Sequence, residues 1–145
     1  MDKNQIQTYL QEMKIPIRLA CTLKNGWPIV LSLWYIYLEG KVYLATQKSA
    51  KVVSYLKSNP RCGFEVASDQ PPYRGVRGIG TAKINEENGL EVLKKLLKRY
   101  LGGTDSPLAK KLLSRKSPEV AIEIEPTSFF TWDFTKRMKD SLSDQ

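Results

Sequence analysis

Apolar residues along this chain recur with two different spacings, and the switches between them outline the elements. Residues 3–14 carry Ile6, Tyr9, Leu10 and Met13 at helical spacing ahead of Pro16, which predicts an N-terminal helix. Ile17 to Leu23 alternates as a strand does, and Lys24-Asn25-Gly26 reads as a hairpin turn. Pro28 to Leu38 is apolar on both faces and is read as one central strand, with one face in the core and the other against a second layer or subunit. Glu39-Gly40 then turns the chain into a strand from Lys41 to Thr46. The period changes at Val52, Val53 and Leu56, a helix that Ser49 is placed to cap and Asn59-Pro60 ends.

Arg61 to Ala67 and Tyr73 to Ile84 read as two further strands, joined by a polar, proline-bearing loop. Asn85 is expected to cap a helix with Glu86 and Glu87 in its first turn, Leu90, Leu93, Leu97 and Tyr100 on its buried face, and Gly102-Gly103 as its stop. Ser106-Pro107 opens a shorter helix that runs to about Arg115. Glu119 to Glu125 is the sixth strand, which Ser128 to Phe134 continues past Pro126, before a polar, partly helical tail at 136–145. Six strands with antiparallel neighbours and helices between them predict a mainly β domain with α insertions (α+β), built as a closed or partly open barrel.

Composition narrows what such a barrel can do. With 145 residues and 41% hydrophobic content the chain suits a single domain, 1–145, that begins with the helix at 1–14. The longest apolar run, Ile29 to Leu38, is broken by Ser32 and is about half of the roughly 20 residues a membrane helix needs. No membrane partner is expected, and a first segment without an apolar signal region points to the cytoplasm. Cys21 and Cys62 stand far apart in sequence with no Cys-x-x-Cys pair, so they are read as buried and reduced, and no metal site is expected. Histidine is absent altogether, which removes Ser-His-Asp and Cys-His mechanisms and the commonest base near neutral pH. No catalytic side chain stands out, so chemistry here calls for an organic cofactor that the protein binds and orients.

One segment has the makings of a phosphate site. Between Ala45 and Lys51 a strand end gives way to a helix start, bringing together the Thr46 and Ser49 hydroxyls, free backbone N–H groups and the Lys51 ammonium. Lys51 stands against the dipole of its own helix, a conflict that an anionic ligand resolves. Gly75, Gly78 and Gly80 lie within a strand and lead into Thr81-Ala82, not into a helix, so a dinucleotide fingerprint is excluded in favour of bulges or close backbone approach. The net charge of +8 gathers on Lys94, Lys95, Lys98 and Arg99 and on Lys110, Lys111, Arg115 and Lys116. No groove-reading motif accompanies these bases, so no specific nucleic-acid partner is expected.

The runs Asn25-Gly26-Trp27-Pro28, Leu33-Trp34-Tyr35, Thr46-Gln47-Lys48-Ser49-Ala50-Lys51, Asn59-Pro60 and Tyr73-Arg74-Gly75-Val76-Arg77-Gly78-Ile79-Gly80-Thr81-Ala82 follow one another in an order that resembles the pyridoxamine 5′-phosphate oxidase-like, FMN-binding split-barrel proteins. The resemblance covers roughly residues 15 to 85 and is weaker through the final strand. It implies a six-stranded antiparallel split β-barrel with flanking helices and a flavin-dependent oxidoreductase acting on a small molecule. It also implies that Val30, Leu31, Ser32 and Leu33 lay their backbone along the flavin ring, with Tyr35 following, while Ala45, Thr46, Ser49 and Lys51 hold the FMN phosphate. Gly75 and Arg77 would come near the cofactor, and, in a homodimer with cofactor at the subunit interface, Trp132 and Arg137 would complete the partner's site. The oxidase itself carries a basic residue where Ala50 stands here, a departure that argues against pyridoxamine phosphate oxidation. The deazaflavin F420 on the same fold, and a flavin-binding protein without turnover, are the alternatives.

Overall fold

A computed structural model describes residues 1–139. Four helices and seven strands follow in the order α1 (Lys3–Glu12), β1 (Ile17–Thr22), β2 (Pro28–Leu33), β3 (Ile36–Leu38), β4 (Lys41–Gln47), α2 (Lys51–Ser58), β5 (Arg61–Ala67), β6 (Arg74–Asn85), α3 (Gly89–Leu101), α4 (Pro107–Leu113) and β7 (Glu119–Asp133). The strands form one sheet in the order β2-β1-β5-β6-β7-β4-β3, with every recorded pairing antiparallel. The α+β class is as the sequence predicts, but the sheet has seven strands, not six, and its two edges are not hydrogen-bonded to each other. Residues 140–145 of the predicted tail lie outside the described residues.

The extra strand arises where the sequence shows one run. Pro28 to Leu38 is two strands at opposite edges of the sheet, broken at Trp34-Tyr35, and neither is central. Because only those two residues separate β2 from β3, the two edges come within about 11 Å at that end. The sheet therefore curls nearly into a barrel and stays split. At the break, the Tyr35 backbone finds a side chain in place of a strand: its N–H donates to Tyr100 Oη at 3.3 Å, and its carbonyl lies 3.3 Å from the same hydroxyl. Tyr35 itself is fully buried, with its hydroxyl 2.7 Å from the Leu10 carbonyl and 2.8 Å from that of Met13.

Inward-facing residues of the curled sheet make the main core. Ile17, Leu19, Val42, Leu44, Phe64, Val66, Val76, Ile122 and Ile124 fill it, with Tyr9 and Leu10 of α1 and Val52, Val53 and Leu56 of α2 packed among them. Helix α3 covers the other face of β4 and β7, setting Val92 and Leu96 against Ala121 and Ala45, while Leu93 and Leu97 meet Ala109 of α4. Cys21 and Cys62 are buried and free, as expected. Pro126 sits where β7 pairs only with β6, at a register shift opposite Gly80 that leaves Thr127 over as the extra residue of a bulge.

Two helix starts differ from expectation. Ala50 is the N-cap of α2 and no side chain caps it, because Ser49 is turned to Ser117. Asn85 accepts from the N–H groups of Glu87 and Asn88 at 2.9 and 3.1 Å and so closes a local turn, which delays α3 to Gly89. Leu90 is accordingly 48% exposed, and Val92 and Leu96 are buried beside Leu93 and Leu97. Ser106, in contrast, caps α4 as predicted, accepting from the Ala109 N–H at 3.1 Å.

Candidate functional site

The residues singled out from sequence fall into three places. Thr46, Ser49 and Lys51 meet at the junction of β4 and α2. Thr46 is half-buried near the end of β4, on the face that Val42 and Leu44 share. Ser49 is exposed, with its hydroxyl 3.0 Å from Ser117 Oγ and its backbone N–H donating to that oxygen at 3.3 Å. Lys51 opens α2, exposed and without an acidic partner among the described residues. The first turn of α2 holds no acidic residue, so the positive end of the helix and the ammonium stand together unneutralised. Ser117, 68 positions from Ser49, belongs to this junction through the β4–β7 pairing, which brings Lys48 N–H to 2.8 Å from the Pro118 carbonyl. No local pattern in the sequence marks it.

Ser32, Leu33 and Ala45 line a cleft of about 360 Å³ on the other side of β4. Its far wall is Leu93, Leu96, Leu108 and Leu112 of α3 and α4, and Trp34 stacks on Tyr100 at its side with ring centroids 4.9 Å apart. Ala45 and Thr46 are consecutive in a strand and so look to opposite faces. Arg115 is the one charged residue in the lining, and it pairs with Glu119, whose carboxyl is held above the usual range by burial against the opposing pull of Arg115. The remaining residues of β2 divide by face: Leu31 packs towards the main core, while Val30 is 64% exposed on the outside. As an edge strand, β2 leaves one row of backbone N–H and C=O groups without a strand partner.

Gly75, Arg77 and Trp132 form the third group, on the outer face of β6 and β7. The Trp132 ring lies so close over Gly75 that a Cβ there would come within 2.2 Å of it. The Arg77 guanidinium sits 4.5 Å from the Phe130 ring centre and 5.3 Å from that of Trp132. Arg74, three residues back in the strand, faces the other way, over the Tyr9 ring and in an ion pair with Asp133 at 3.2 Å. Asp133 is held below the usual carboxylate range by its hydrogen bonds from Thr135, with Arg74 adding to them. Arg137 packs on Phe134, 5.0 Å from its ring centre.

The first and third groups are not neighbours. Thr46 is paired with Val120 near the start of β7 and Arg77 with Phe130 near its end, ten residues or about 33 Å of strand further on. Tyr35 belongs to none of the three, because its ring and hydroxyl are consumed inside the core at the end of α1. Among the described residues no helix is long and apolar enough to cross a membrane, and no three metal-ligating side chains cluster.

The fold is a known one. A conserved hypothetical protein from Mycobacterium tuberculosis superposes with a TM-score of 0.80 at 23% identity, over 94% of this chain and 88% of that one. An F420 reductase follows at 0.71 and 24% identity, over 83% and 93% of the two chains. A protein named for pyridoxamine 5′-phosphate oxidase, from Listeria innocua, gives 0.67 at 18%, over 88% and 95%. The chain therefore has the α+β split-barrel fold of the pyridoxamine phosphate oxidase-like proteins. No family model matches it, and no curated protein matches it in sequence. At these identities the likeness fixes the fold, and the chemistry has to be argued from the three groups of residues.

Proposed function

We propose that the protein is a flavin-dependent oxidoreductase that binds FMN, with the phosphate at Thr46, Ser49 and Lys51 and the ring along the unpaired edge of β2 from Val30 to Leu33. The observation that carries this reading is the uncapped start of α2. The Lys51 and Val52 N–H groups, the Ser49 and Ser117 hydroxyls and the Lys51 ammonium lie there, and Glu86 is engaged by Lys48 and Lys57, not by Lys51. A phosphate supplies the missing charge and accepts from all of them. The free backbone groups of β2 suit the alternating donors and acceptors of a flavin ring edge. FMN would supply hydride and electron transfer, and the chain's own side chains bind, orient and exclude water.

The reading also takes the protein to be a homodimer. Gly75, Arg77 and Trp132 lie too far along β7 to share a mononucleotide with Lys51 of the same chain, so a second copy would bring them. An outer face that exposes Val30 at 64%, Ile79 at 58% and Phe130 at 56% supports such a contact. F420 is the competing cofactor, and titrating the purified protein with each separates the two by absorbance. Lys51→Ala is expected to weaken FMN binding at least tenfold, the equivalent of a lost charge-assisted hydrogen bond of about 1.5 kcal/mol. Unchanged affinity would remove the phosphate site from Lys51.

A further inference from the structure

We propose that Cys21 and Cys62 form a cross-strand dithiol that a peroxide converts to an intramolecular disulfide, a modification site closing the loop that runs from β2 to α2. Strands β1 and β5 pair as Arg18 with Glu65, Leu19 with Phe64 and Ala20 with Gly63. One step further in the same register sets Cys21 opposite Cys62. Leu19 and Phe64 point into the core, and the cysteines, two residues along on each strand, point the same way and are buried. The last paired residues, Ala20 and Gly63, have Cα atoms about 4.5–5.5 Å apart, and the cysteines follow them by one residue on each strand, where a disulfide would need roughly 4.4–6.8 Å.

The strands part at the thiols, and a cleft opens there. After Ala20 and Gly63 the two strands cease to pair, although each continues with its other neighbour, Cys21 opposite Ile29 and Cys62 opposite Gly80. Both cysteines then line one cleft of about 510 Å³ beside Thr22 and Arg61, which gives a small oxidant a way in. Cys21 also raises the Cys62 thiol electrostatically, second to burial. The sequence holds no third cysteine to compete.

The oxidation balances with a peroxide as the two-electron acceptor. The Cys21 thiolate attacks the O–O bond, which breaks to give a Cys21 sulfenic acid and, with the thiol proton, one water. The Cys62 sulfur then attacks the Cys21 sulfur and expels hydroxide, which leaves as a second water with the Cys62 proton. Two thiols and one hydrogen peroxide thus become a disulfide and two waters. Burial pushes the Cys62 thiol up to about 12, so Cys21 is the attacking residue and the reaction quickens as pH rises. The bridged loop, residues 22–61, contains Val30 to Leu33, Ala45, Thr46, Ser49 and Lys51, yet the proposal needs no cofactor and stands apart from the function proposed above.

The test is intact mass and peptide mapping of the full chain treated with hydrogen peroxide at pH 8, then unfolded in excess N-ethylmaleimide. The expected result is a loss of about 2 Da, no alkylation until a reductant is added, and a Cys21–Cys62 cross-linked peptide. The bridge should raise the melting temperature by about 5–10 °C, reversibly with dithiothreitol, given a loop of roughly 40 residues. Cys62→Ser should leave a sulfenic acid at Cys21 that dimedone traps. Two alkylated cysteines after peroxide, sulfinic acids without a cross-link, or a disulfide between two chains on a non-reducing gel would each overturn the proposal, and all are read on the wild-type protein.

Discussion

Arg99 offers the sharpest test of how the split is held. Its guanidinium donates to three carbonyls at the end of α1: Gln11 at 2.6 Å, Leu10 at 3.1 Å and Met13 at 2.8 Å. It also lies 5.0 Å from the Tyr35 ring centre and 5.5 Å from that of Tyr100. The bond to Gln11 is exposed and contributes little, while the two part-buried, charge-assisted bonds are worth about 1.5 kcal/mol each. Arg99→Met keeps the stem packed on the tyrosines and should cost about 3 kcal/mol, a fall in melting temperature of about 6–12 °C. Tyr35→Phe alone should cost about 1 kcal/mol, because Arg99 still serves both carbonyls that the hydroxyl reaches. With both changes the Leu10 and Met13 carbonyls lose every side-chain donor they have here, and a buried carbonyl without a partner costs a further 1–3 kcal/mol or so. The double variant should therefore exceed the sum of the singles by at least about 1 kcal/mol in urea unfolding followed by tryptophan fluorescence. A sum that holds within about 0.5 kcal/mol, or an Arg99→Met protein as stable as wild type, would refute the network. FMN affinity of Tyr35→Phe should match wild type, since that hydroxyl is sealed in the core.

Two other outcomes follow from exposure and burial. Ile79→Asp, on the outer face beside Gly63 and Ser128 in the sheet, should yield a folded monomer by light scattering and take FMN binding with it; a dimer of unchanged mass would argue against that face as the contact. Stability should fall between pH 8 and pH 10 under reducing conditions. The Cys62 thiol ionises near 9.0 when unfolded but only near 12 when folded, so in that range the unfolded chain binds fewer protons and is favoured as pH rises. Cys62 should account for about 1 kcal/mol of the loss by pH 10, which Cys62→Ala removes, while Cys21 and Tyr35, also raised by burial, keep the remainder.

Elements whose determinants are local were legible in the sequence, and those set from a distance were not. Arg61 to Ala67 alternates Cys62, Phe64 and Val66 inward against a turn on each side, and β5 spans those same residues. Glu39-Gly40 turns as expected, with φ of 51° and 79°. The break at Trp34-Tyr35 could not be read, because what ends β2 there is the hydroxyl of Tyr100, 65 residues away. Ser49 looked like a cap by every local rule, and a serine 68 residues on holds it instead. Asn85 does not cap α3 as expected: its side chain closes the 85–88 turn, and Asn88 is the N-cap. The three-residue delay rotates the helix and exchanges Leu90 for Val92 and Leu96 on the buried face.

The site was legible in pieces for a related reason. Residues within one turn of the β4–α2 junction are adjacent in any fold that keeps that strand and helix, so Thr46, Ser49 and Lys51 could be grouped from sequence alone. Ala45 and Thr46 had to be separated afterwards, because a strand sends neighbours to opposite faces. Gly75, Arg77 and Trp132 are grouped by the pairing of β6 with β7, and that same pairing carries them to the far end of a fifteen-residue strand from Val120 and Thr46. Curling runs across the strands and leaves β7 extended at about 3.3 Å per residue, less what the bend at the Thr127 bulge takes up. On the function proposed above, the outer trio therefore belongs to the Lys51 site of another chain or to none. An arginine held over two aromatic rings on an exposed apolar face is what favours the second.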